Sequence, residues 1–159
     1  MNRFVMTAAA ILMSTAAFAA ADKVKEIDVS LDLDAVTNPA AALRFATTAD
    51  DLKSAIAARV LERADADEGV TIDINLSEVE LSNSYTDMVG AADTRLVGAV
   101  KVTEGPSLKS EYELSVDINQ ALPFFPANVD MTILTASSDD FYKAMIAAFA
   151  DAVVVRLDD

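Results

Sequence analysis

The chain contains no histidine, no cysteine and no tryptophan. Those absences remove whole classes of chemistry. Without imidazole or thiolate there is no zinc site of the usual kind, no common haem or iron–sulfur ligation, no thiol nucleophile and no Ser-His-Asp triad. Disulfides are excluded too, so stability has to come from a packed core and does not depend on an oxidising compartment. Basic residues are also scarce, with 12 Lys and Arg against 26 Asp and Glu. Nucleic acid and anionic membrane surfaces attract proteins with the opposite balance, so neither is an expected partner.

What is present starts with an address. Residues 1–20, MNRFVMTAAAILMSTAAFAA, combine a positive start at Arg3, an apolar stretch from Phe4 to Met13, and small residues at Ala17 and Ala19. This is the pattern of a cleavable signal peptide, with cleavage expected before Ala20 or Ala21. Losing residues 1–20 removes Arg3 and no acidic residue, which leaves 11 basic and 26 acidic residues and a net charge of −15. No later segment is apolar and long enough to span a bilayer, so no stable membrane insertion is expected after cleavage, and the expected location is a bacterial periplasm.

Residues 21–159 suit one domain. Ile27, Val29, Leu31 and Leu33 alternate with acidic residues, the period of a half-buried strand. Asn38-Pro39 reads as a helix start, and the helical pattern continues to about Ala64, with Thr48 and Asp51 able to cap a second start. Val70, Ile72, Ile74 and Leu76 form a second strand, and the parity slip at Ser77-Glu78 predicts a bulge. A polar loop over 82–92, a third strand over 94–103, a reversal at Glu104–Ser107 and a fourth strand at Tyr112–Ile118 follow. Val129–Thr135 reads as a short fifth strand, and Ser138 as the cap of a last helix. The expected fold is α+β, in two layers: a mostly antiparallel sheet of four to five strands with two helices on one face, in the order β-α-β-β-(β)-α.

Four passages carry a resemblance: NPAAALRFATTADDLKSAIAARVLERAD (38–65), EVELSNSYTD (78–87), YELSVDINQALPFFP (112–126) and MIAAFADAVVVRLD (145–158). They resemble uncharacterised small secreted, periplasmic proteins of Gram-negative bacteria. The layout is similar to the small α/β domains of envelope lipoproteins, although this chain lacks their lipid-bearing cysteine. The resemblance implies a compartment and a fold; it implies no activity and transfers no catalytic residue.

Four constellations invite a chemical reading. Asp28, Asp32, Asp73, Glu111, Glu113 and Asp117 fall on the outer sheet face, where a carboxylate cluster could hold calcium or could simply keep the face solvated. Asp65–Gly69 imitates the start of an EF-hand but carries Leu76 where the bidentate Glu belongs, so it reads as a turn. The pairs Glu111/Glu113 and Asp32/Asp34 have a glycosidase-like spacing, but any alternating acidic strand produces it. Asp93-Thr94-Arg95 lacks the glycine of an aspartic-protease turn.

Pro123-Phe124-Phe125-Pro126 stands apart. In an extended chain one ring packs on the core and the other lies near the surface, so Phe124 and Phe125 are candidate partner-binding residues. The sequence therefore suggests a non-enzymatic periplasmic binding or envelope-assembly domain, acting through this loop or an exposed strand edge on an envelope protein partner. The alternative is a calcium-binding protein using the acidic face. No catalytic residue, cofactor or specific metal ligand is assigned.

Overall fold

The computed structural model describes residues 22–31, 47–80, 95–127 and 139–158. The elements are β1 (Val24–Leu31), α1 (Thr48–Arg59), β2 (Val70–Glu80), β3 (Arg95–Glu104), β4 (Ser107–Asp117), α2 (Ile118–Ala121) and α3 (Asp139–Val155). Short 3-10 turns cover Leu61–Arg63 and Leu122–Phe124.

The class is α+β, and the described residues form one open sheet of four strands in the order β1-β2-β3-β4. The sheet is mixed. β1 and β2 run parallel, while β2–β3 and β3–β4 are antiparallel. The parallel pair has a simple cause: a helix lies between the two strands in sequence, which returns the chain to the end of the sheet where it began. The described residues hold three α-helices, one of them the single turn Ile118–Ala121, where two were expected. The fifth strand at 129–135, the loop at 82–92, the helix start at Asn38-Pro39 and the Ser138 cap fall outside the described residues.

Alternation along the strands makes the core. Ile27, Ile72, Ile74, Leu76, Leu96, Val100, Val102, Leu114 and Val116 are buried on one face. Leu52, Ile56 and Val60 recur every four residues on one stripe of α1 and its C-cap, and meet that face together with Phe141, Met145, Phe149 and Val153 of α3. Gly98 sits on the same side; a Cβ there would lie 3.3 Å from Phe149 Cζ and 3.1 Å from Leu76 Cδ2. Its lack of a side chain lets α3 approach the sheet.

Polar links rivet α1 to α3. Tyr142 Oη donates to Asp51 at 2.6 Å, Arg59 donates to the Ala147 carbonyl at 3.0 Å, and Arg63 pairs with Asp158. Residue numbers rise together along this series, so the two helices run in the same direction. α1 starts one residue earlier than its expected second cap: Thr47 is the N-cap, and its hydroxyl donates to Asp51 rather than accepting from the backbone.

The predicted bulge is present, as the β2–β3 register shifts between Leu76 and Glu78. β4 begins at Ser107, five residues earlier than expected, directly after Gly105-Pro106. Gly105 has φ 54°, and Pro106 cannot adopt a positive φ, so the hairpin needs its glycine at the first central position.

Candidate functional site

The loop singled out in sequence begins at the end of β4. Asp117 accepts from the backbone N–H of Asn119 at 2.7 Å and Gln120 at 3.3 Å, and its own N–H donates to Gln120 Oε1 at 2.8 Å. This capping box ends the strand and starts α2. The helix then tightens into the 3-10 turn at Leu122–Phe124, with Pro123 in its first turn, where a missing N–H costs nothing.

That turn changes the expected geometry of the two phenylalanines. In a 3-10 turn successive side chains are separated by about 120°, not 180° as in a strand. Phe124 closes that turn and Phe125 is its extended C-cap, and both are half-buried and packed against the core. The Phe125 ring lies 6.0 Å from Phe141, tilted by 56°, within the range of favourable aromatic contacts. Leu122 is 49% exposed, and Pro123 and Pro126 are exposed beside it. The result is a short apolar projection, Leu122 to Pro126, backed by the core and stiffened by two prolines.

The acidic face resolves into rows across the strands. Register pairing places Asp28, Asp73, Lys101 and Glu111 side by side, so a lysine separates the two carboxylates of the central and outer strands. Asp28 has a further cation, Lys53 Nζ, at 3.5 Å. Asp117 is occupied as the cap of α2, and Asp32 falls outside the described residues. Among the described residues no group of three or more acidic side chains converges on a point where a metal could sit.

The turn at Asp65–Gly69 is tied internally. Asp65 accepts from Lys23 Nζ at 2.9 Å and from the backbone N–H of Asp67 and Glu68. Those bonds, led by Lys23, hold its carboxyl down at about 2. A general acid requires the opposite shift. Gly69 follows with φ 129°, and a Cβ there would fall 2.5 Å from the Lys23 carbonyl oxygen. Glu111 and Glu113 stand exposed on the sheet's open face, and Asp34, Asp93 and Thr94 are outside the described residues.

Two features escaped the sequence reading. Asp-x-x-Gln at 117–120 is a capping-box signature, and it was legible once the strand was known to end there. The stacking of Arg156 over the Tyr112 ring, 4.5 Å from its centroid, joins residues far apart in sequence and left no local signal.

No helix among the described residues is long and apolar enough to cross a membrane. No family model matches the chain, and no curated protein matches it either.

Proposed function

We propose that the chain is a non-enzymatic binding or envelope-assembly domain, exported to the periplasm by the leader at residues 1–20, and that it contacts a protein partner through the loop Leu122–Pro126. One observation carries the reading: Leu122, Pro123 and Pro126 are exposed on a rigid turn, with the rings of Phe124 and Phe125 packed on the core behind them. Pro123 and Pro126 restrict the backbone, so docking costs little ordering entropy. Burying one large apolar side chain in a partner's pocket contributes roughly 1.5–3 kcal/mol.

The structure supplies a cleaner probe than the phenylalanines. Truncating Phe125 would disturb Phe141 and the core, whereas Leu122 is half exposed. Leu122→Asp is expected to leave the melting temperature within about 2 °C and to abolish co-purification of the envelope partner. Unchanged co-purification with a folded variant would refute the loop as the contact.

A further inference from the structure

We propose that the outer edge of β4 receives an extended segment of a partner protein, one that alternates basic and apolar residues and adds a fifth strand to the sheet. The inference rests on reading the chain as a binding domain and names the chemistry of what it binds. Three observations support it.

The first is topology. Among the described residues β4 pairs on one side only, with β3, and its eleven residues form a long edge. The opposite edge is shorter, since β1 has eight residues, and Lys53 of α1 reaches over it to Asp28. An unpaired edge presents backbone donors and acceptors that a partner strand can satisfy.

The second is charge. On its solvent face β4 presents Glu111 and Glu113, both exposed. Its one basic residue, Lys109, sits beside a register irregularity and is held by Asp22 at 2.9 Å and Glu104 at 3.7 Å. Antiparallel pairing of two copies centred on Glu111, Tyr112 or Glu113 sets glutamate against glutamate. Like charges directly opposite each other oppose pairing, so a second copy docked in these registers is a poor occupant. A strand with lysine or arginine at the same positions fits.

The third lies on the other side of the strand. Tyr112 and Leu114 point toward the core, and Tyr112 is only half-buried, with Arg156 over its ring. An added strand would place its alternate residues beside that ring, and apolar side chains there would extend the core layer.

The test uses the full mature chain and a ten-residue acetylated peptide of alternating lysine and valine. Saturable binding is expected in calorimetry at physiological salt, with amide exchange along β4 slowed when the peptide is present. A peptide of the same charge, N-methylated along one edge so that its backbone cannot pair, should bind at least tenfold more weakly. The double variant Glu111→Lys, Glu113→Lys should also lose at least tenfold, and should instead accept an alternating glutamate–valine peptide. Equal binding of the N-methylated peptide would reduce the effect to charge attraction and overturn the proposal. So would β4 amides already protected along the outer edge in the free protein, because another segment would then occupy it. The Leu122→Asp variant separates the two readings. If it loses its partner while the peptide fails to bind the native chain, the loop stands and the edge proposal falls.

Discussion

Tyr142 Oη lies 2.6 Å from the Asp51 carboxylate, and the Thr48 hydroxyl is 3.4 Å from the same oxygen. This junction fastens the first turn of α3 to the first turn of α1. A hydrogen bond to a charged group contributes more than a neutral one, but this carboxylate is exposed, so the expected loss in Tyr142→Phe is about 1 kcal/mol. Urea unfolding of the variant against the native chain measures it. A loss near zero would mean the helices are held by packing and the arginine links alone.

The same tyrosine makes a prediction at alkaline pH. Burial first, and the Asp51 carboxylate second, push Tyr142 up to about 12 from its ordinary 10; burial also raises Tyr112, against the opposing charge of Arg156. Between those values the folded state holds a proton that the unfolded state has released. The contribution is therefore complete below pH 10 and is lost as pH rises toward 12. Phenolate absorbance should show Tyr142 titrating well above its ordinary value and Tyr112 shifted in the same direction. Tyr142→Phe should flatten the fall in stability over that window.

Acid should act at a different place. Asp65 is held at about 2 in the folded chain, below its ordinary 3.8, chiefly by Lys23. The folded state binds this proton less readily than the unfolded state does. Its contribution is present above pH 4 and disappears as pH falls through 2. The pair is exposed, so the effect is modest. Asp65→Asn should lower the midpoint of thermal melting at pH 7 and have less effect at pH 2. Equal shifts at both values would assign the role of Asp65 to its turn bonds rather than its charge.

Tyr112 illustrates the cost of an unmet polar group. Its hydroxyl is shielded from solvent and has no hydrogen-bond partner among the described residues. Burying such a group without a partner costs about 1–3 kcal/mol, and replacing it with an apolar isostere removes that cost. Tyr112→Phe is expected to match or exceed native stability while keeping the ring beneath Arg156. A loss above about 1 kcal/mol would show that the hydroxyl has a partner.

The strands were legible because their pattern is strong. Ile72, Ile74 and Leu76 alternate without exception, and the parity slip at Ser77 located the β2–β3 irregularity in advance. Pairing direction was less legible, since the same alternation suits parallel and antiparallel neighbours; the intervening helix was the available clue. Composition marks out the loop, but its shape is a 3-10 turn rather than the extended chain the sequence suggests. Pro123 excludes a helix interior yet is well tolerated in the first turn of a 3-10 segment, and Asp117 with Gln120 had already started a helical turn. The acidic face was read from alternation alone. Its cross-strand neighbour Lys101 became visible only with the register, and that residue divides the row of carboxylates.

The central claim is that Leu122–Pro126 is where a partner docks. It is tested most directly in living cells, with a photo-crosslinking amino acid placed in turn at Leu122 and at Leu61, which is more exposed, at 73%, and lies in the turn after α1. The account predicts a discrete crosslinked species from position 122 in the cell envelope fraction, reduced by Phe124→Ala in a protein that remains folded, and none from position 61. No crosslink at 122, or the same species from both positions, would contradict it.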